Sequence, residues 1–276
     1  MSTIINTNVA SMQARDALKV NGRAMANAME QLSTGQRVNS ASDDAAGLAI
    51  SVAMSTQARS LTTAVRNAND GISLAQTAEG ALIEVSNMLQ RMRELAVQAS
   101  TETISAGQRT YLSNEAVALA KQIDNTISNT KWNGISVLSE ASMDTAGIKI
   151  QVGDTAGQEL VVKGASLTAA KEATVIPAAW TTQALASAGI ALIDGGLSAV
   201  NNARANLGVA INRLTSIGDN LTNIAQNLTE SRSRIVDTDY AAATAEMART
   251  MIIQQAGTAV LAQANQRPQL VLALLR

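Results

Sequence analysis

Leu82-Ile83-Glu84-Val85-Ser86-Asn87-Met88-Leu89-Gln90-Arg91-Met92 places an apolar side chain at alternating steps of three and four, at Leu82, Val85, Leu89 and Met92. That spacing draws one narrow stripe along an α-helix, the seam of a coiled coil. The phase extends backward through Leu61, Ala64, Ala68, Gly71, Ala75 and Ala78, and forward to Ala96 and Ala99. Asn69-Asp70-Gly71 is by composition a turn signal, yet Gly71 falls in phase with the stripe. The expectation is an unbroken helix from Asp43 to Ser100 with a close backbone approach at Gly71, a turn being the alternative.

A second seam lies near the other end of the chain. Val200, Leu207, Leu214, Leu221, Leu228 and Ile235 recur every seven residues, with Ala203, Ala210, Ile217 and Ile224 between them. A third helix is expected over 105–129, with Leu112, Ala116, Leu119, Ile123 and Ile127 on one face. Three stripes need partners, and bundling them with one another satisfies all three. Both ends repeat the theme: Leu18, Met25 and Leu32 step by seven before a break at Ser33-Thr34-Gly35. Met247, Met251, Ile252, Val260 and Leu261 precede Pro268, which is expected to stop the last helix. These end helices carry weak stripes, so they are expected to order only against neighbouring copies.

Between the halves the texture changes. Trp132-Asn133-Gly134 signals a turn, and 148–152 with 159–163 read as a short hairpin. Residues 164–188, with Pro177 and Trp180, give no firm pattern. Residues 140–188 are expected to be a small exposed insert. The fold class is thus mainly α: a long antiparallel helical bundle or coiled coil with a β-hairpin in its insert.

Composition narrows the function. The 276 residues are 46% hydrophobic but only 1% aromatic, with no Phe, a mix suited to helix seams. Without His or Cys, a Ser-His-Asp triad, a thiol nucleophile and His-ligated metal are excluded. No glycine-rich phosphate loop appears, so neither an enzyme nor a cofactor site is expected. Asp43-Asp44 and Asp237-Thr238-Asp239 could pair as carboxylates or hold a hard cation. Helix capping by Ser42, Asp43, Thr238 or Asp239 is the stronger reading.

Net charge is −1, and 181–199, just before the strong seam, has no Lys or Arg, which argues against a nucleic-acid zipper. No apolar run approaches the roughly 18 residues that span a bilayer, and no basic-then-apolar leader opens the chain. Those two rules alone point to the cytoplasm.

Several blocks carry a resemblance. Ile4-Ile5-Asn6-Thr7-Asn8, Leu32-Ser33-Thr34-Gly35 and Asn39-Ser40-Ala41-Ser42-Asp43-Asp44-Ala45-Ala46-Gly47 open it, and Arg66–Ser73 and Arg93–Gln98 continue it. Ser233-Arg234-Ile235, Asp239-Tyr240, Gln254-Gln255-Ala256-Gly257, Leu261–Gln266 and Leu274-Leu275-Arg276 close it. In order and position they resemble bacterial flagellin. Arg267, Leu270 and Trp132 depart from the pattern.

The resemblance implies a subunit that self-polymerises into the flagellar filament. Residues 1–40 and 237–276 would pair as a terminal coiled coil of the inner tube, 41–139 and 189–236 would form the helical rod of the outer tube, and 140–188 the variable insert. It replaces the cytoplasmic expectation with an extracellular one, reached by export through the flagellar channel without a cleaved signal. Implied partners are further copies, a secretion chaperone on the C-terminal helices, the filament cap and hook-associated proteins, and the host Toll-like receptor for flagellin. Gln90, Arg91, Leu95 and Glu115 are carried over as the receptor-recognition or protofilament-contact face. A hook–filament junction protein is the rival reading, and a soluble coiled-coil adaptor a more distant one.

Overall fold

The structure is a computed structural model describing residues 7–138, 147–164, 167–175 and 180–274. The chain divides into two compact units, 57–226 and 1–56 with 227–276. Ile4, Ile5, Asn6, Pro177, Leu275 and Arg276, with the side chains of Arg267 and Leu270, lie outside the described residues.

In the unit 57–226, the stripe does what its spacing demands. Helix α2 (Ala45–Ala99) runs unbroken. From Leu61 to Ala99 every apolar stripe residue is buried, and Leu82, Val85, Leu89 and Met92 are fully so. Gly71 sits inside the helix, not in a turn. A Cβ there would run into Ile150 Cδ1 and stand 3.2 Å from Leu214 Cδ1, so glycine lets two neighbours close on the backbone.

Helix α3 (Ala106–Asn129) opens with a Ser105–Gln108 capping box. Its buried Arg109 donates from Nε to Ala99 O (2.8 Å), a carbonyl freed at the end of α2, and from Nη2 to Thr101 O (3.1 Å) in the turn that follows. Ala116, Ile123 and Ile127 join the core.

Strands β1 (Lys131–Trp132) and β2 (Ile135–Ser136) pair across Asn133 (φ 48°) and Gly134 (φ 82°), the two left-handed residues a tight hairpin requires. Strands β3 (Ile148–Gln151) and β4 (Glu159–Val162) form the expected antiparallel hairpin, Ile148 opposite Val162.

The insert is not the exposed decoration expected. Ile150, Leu160, Val162, Leu167, Ala170, Ala173 and Trp180 all enter the main core. Asn67 Nδ2 donates to Gln151 O and Asn206 Nδ2 to Gly164 O, each at 3.1 Å. The patternless stretch holds helix α4 (Thr168–Val175), and Trp180 is fully buried against Gly189. The reason is geometric: a narrow seam leaves flanking grooves, and the alternating apolar residues of the hairpin fill one.

Helix α5 (Gln183–Val236) begins inside that stretch. Val200, Ala203, Leu207 and Leu214 are fully buried and Leu221 nearly so. Leu228 and Ile235 are only half-buried, and Ile224, expected on the seam, is 38% exposed. The core cluster reaches Leu214 and Ile217 along α5 and no farther, so the later heptads lack its cover. Averaged over 18 residues, α5 reaches a mean hydropathy of 1.3, enough by length and composition to cross a membrane. Searching for an uninterrupted apolar run misses that average; Ile193, Val200 and Leu207 nonetheless lie in the protein core.

The unit of 1–56 and 227–276 is built on α1 (Val9–Thr34) and α6 (Tyr240–Leu274). Helix α1 stops at Gly35 (φ 70°), whose N–H bonds Gln31 O. Next to it, Gln36 and Asp237 form an antiparallel bridge, Arg37 N donates to Val236 O (2.6 Å) and Thr238 N to Gly35 O (3.0 Å).

The acidic pairs cap and staple, with one reassignment. Asp44, not Asp43, caps α2, accepting from Gly47 N at 2.8 Å. Asp43 Oδ2 instead accepts from Ser40 N (2.9 Å) and Asn39 N (3.2 Å). Asp239 caps α6 through Ala241 N (2.8 Å), and Asp237 accepts from Ser233 Oγ (2.6 Å). Pro268 does not stop α6, which continues to Leu274. Proline's φ suits a helix; its cost inside one is a missing amide hydrogen and a ring that crowds the carbonyl four residues back.

Candidate functional site

Two surfaces carry the residues that the sequence singles out for assembly. The first is the α1–α6 pair, which runs antiparallel. Asn8 Nδ2 donates to Ala264 O (2.8 Å), Ser11 Oγ to Asn265 Oδ1 (2.8 Å), and Asn21 Nδ2 to Thr250 O (2.8 Å) and Gln254 Oε1 (3.2 Å). Leu18 packs over Gly257, where an added Cβ would stand 2.7 Å from Leu18 Cδ2.

The seam follows heptad steps on both helices. On α1 it runs Ser11, Ala14, Leu18, Asn21, Met25, Ala28 and Leu32. On α6 it runs Ala243, Met247, Thr250, Gln254, Gly257, Leu261 and Ala264. Every one of these residues is buried or half-buried.

Along α6 the seam does not follow the apolar residues alone. Met251 (39% exposed) and Val260 (56%) lie beside the seam, whereas polar Thr250 (1%) and small Gly257 lie in it. Spacing alone can find the missed residues: Asn21 lies three after Leu18 and four before Met25. A two-helix pair covers one stripe, so Val9, Met12, Val20, Met29, Ile252 and Ile253 remain exposed.

The second surface joins α2 to α3. Arg91 Nη2 and Nε donate to Glu115 Oε1 (2.9 and 3.1 Å), and Nη1 to Glu94 Oε2 (3.0 Å). The hydrogen bond to Glu115, then that to Glu94, raises the Arg91 pKa above its ordinary value. Gln90 is exposed and reaches Ser86 Oγ at 3.5 Å. An open groove alongside is lined by Gln90, Arg93, Glu94, Val97, Gln98 and Thr101.

Leu95 does not belong to this face. It is 2% exposed and lies in the core, because α2 widens its apolar side one step beyond Met92. Folded as here, Leu95 supports the surface from beneath and offers nothing to a partner.

Comparison with known proteins agrees with this architecture. The model of the bacterial flagellin N-terminal helical region matches 5–143, and that of the C-terminal helical region matches 190–275. A flagellin of Halalkalibacterium halodurans is 44% identical over 99% of this chain and 100% of its own length. The crystal structure of Bacillus cereus flagellin superposes with a TM-score of 0.50 at 32% identity, covering 60% of this chain and 94% of that one. A putative flagellar hook-associated protein from Vibrio parahaemolyticus gives a TM-score of 0.59 over 71% of this chain and 100% of that one, but at 13% identity that likeness shows fold alone. The sequence relationship therefore favours a filament subunit over the junction reading. With both terminal regions matched in order and a flagellin aligned along the whole chain, this protein belongs to the bacterial flagellin family, the self-assembling structural subunits of the flagellar filament.

Proposed function

We propose that polymerisation runs through the outer faces of α1 and α6. The observation that carries this is the mismatch within the pair: small and polar residues share its seam with Leu18, Met25, Leu32, Met247 and Leu261, while Val20, Met29, Ile252, Ile253 and Val260 face outward and stay exposed. Burying such side chains against further copies contributes about 1.5–3 kcal/mol each when complete. Residues 1–40 and 237–276 then act as the terminal inner-tube segments, 41–139 and 189–236 as the outer-tube rod, and 140–188 as the insert. The role is structural and needs no catalytic chemistry.

The remaining partners follow from family resemblance and exposed chemistry. The secretion chaperone covers the apolar face of 237–276 before export, and the cap and hook-associated proteins meet subunits at the filament's ends. The charged face of Gln90, Arg91 and Glu115 serves protofilament contact, and the Toll-like receptor for flagellin where subunits are released. Export proceeds through the flagellar channel.

Electron microscopy of seeded polymerisation tests the assembly face. Wild-type chains should extend seeds into tubes, and an Ile252→Ser/Val260→Ser variant should not, while its helical content in the free chain stays unchanged. Normal extension by the variant would place the assembly contacts elsewhere.

A further inference from the structure

Helix α6 passes through Pro268, and the place where it does so is met by the other end of the chain. In an α-helix the carbonyl of residue i accepts the amide of i+4. Position 268 is proline and has no amide hydrogen, so Ala264 O cannot receive that bond. The Asn8 amide reaches this same oxygen: Nδ2 donates to Ala264 O at 2.8 Å. Ala264 is 7% exposed, so water does not readily supply the missing donor.

The other half of the Asn8 amide is also engaged. Asn8 Oδ1 accepts from Ser11 N at 3.0 Å and caps the start of α1. One side chain thus closes the first turn of α1 and replaces the hydrogen bond that proline removes from α6. The Asn8 amide supplies both an acceptor and a donor; aspartate keeps the acceptor alone.

We propose that Asn8 is a positioning residue for assembly, coupling the start of α1 to continuation of α6 beyond Pro268. Unpaired, α6 meets its expected stop at the proline; paired, the Asn8 donor lets residues 269–274 continue the helix. The last turns of α6 are thereby ordered only when both chain ends are in register. This rests on the reading that the terminal pair carries assembly.

A double-mutant cycle tests the coupling. Seeded extension is measured for wild type, Asn8→Asp, Pro268→Ala and the double variant. Asn8→Asp retains the cap and loses the donor, and should raise the critical concentration about tenfold. In the Pro268→Ala background the helix supplies its own donor, so the same change should matter by no more than about twofold. An equal effect of Asn8→Asp in both backgrounds overturns the proposal, because a purely structural role at the α1 cap is indifferent to position 268.

Amide hydrogen exchange gives a second readout that does not depend on Pro268→Ala assembling. In filaments grown from mixed wild-type and Asn8→Asp subunits, the variant should exchange faster at 269–272 and not at 250–260. Uniform change along α6, or none, also overturns it. Wild-type extension with unchanged Asn8→Asp removes this inference alone; absence of wild-type extension removes the assembly reading and this inference with it.

Discussion

The two units use the same heptad grammar with opposite results. In 57–226, Leu82, Val85, Leu89 and Met92 on α2 and Leu207 and Leu214 on α5 are all fully buried. In the terminal pair, Leu18, Met25, Leu32, Met247 and Leu261 are only half-buried, although their spacing is as regular. The difference is the number of layers. The first unit adds α3, the β3–β4 hairpin, α4 and Trp180 around its seam, and all contribute to one core. The terminal unit has α1 and α6 joined along a single stripe. A heptad therefore specifies which residues face a partner, but how deeply they are buried depends on how many partners the chain itself provides.

The strongest way to break this contrast is truncation in each seam. Leu89→Ala should destabilise the unit 57–226 by about 2–5 kcal/mol, measured as a shift in the urea midpoint. Leu18→Ala in the free chain should lower stability by about 1 kcal/mol or less, since its surroundings are half open. Equal losses would mean that the terminal pair is as self-sufficient as the other unit. Next in size is Gly71→Leu, which forces Ile150 and Leu214 off the α2 backbone. It should destabilise by about 1–3 kcal/mol, with faster amide exchange in β3 and β4. Unchanged exchange there would show that the hairpin is not docked on this glycine.

The helices of the first unit are readable from sequence because their stripe is both apolar and periodic. Gly71 stays in the helix on phase alone, against its local turn signal. Residues 164–188 are not readable: Ala, Ser and Thr show no period, and α4 and buried Trp180 arise from packing against residues distant in sequence. Leu95 comes to the exposed face only through the family resemblance; one step beyond Met92, it lies in the buried side of α2. Along α6 the template holds but its letters mislead, since Thr250, Gln254 and Gly257 occupy seam positions that apolar scanning ignores. Continuation through Pro268 depends on Asn8, a partner 260 positions away in the chain.

A buried polar pair sharpens the comparison at smaller magnitude. Asn21→Leu removes the hydrogen bonds to Thr250 and Gln254 but adds apolar contact, so stability should move by about 1 kcal/mol or less in either direction. Polar seam residues act mainly on register. The variant should therefore yield filaments of mixed lattice by electron microscopy, and a single wild-type lattice would deny Asn21 that role.

The smallest effect belongs to the turn before α2. Asp43 accepts hydrogen bonds chiefly from the Ser40 backbone, then from the Ser40 hydroxyl and the Asn39 amide, which together hold its carboxyl below the usual range. A depressed pKa means that the folded turn binds its proton less readily than the unfolded chain does. Its stabilisation is thus complete above the unfolded value and is lost as pH falls through the folded one. Because Asp43 is exposed, solvent limits the effect to the turn. Protection of the Ser40 amide should decline over that acidic window and lose its pH dependence in Asp43→Asn. Simultaneous loss at Ser40 and throughout α1 and α6 would instead make this turn a cooperative part of the terminal unit, whose half-open seam would then be more tightly coupled than its burial implies.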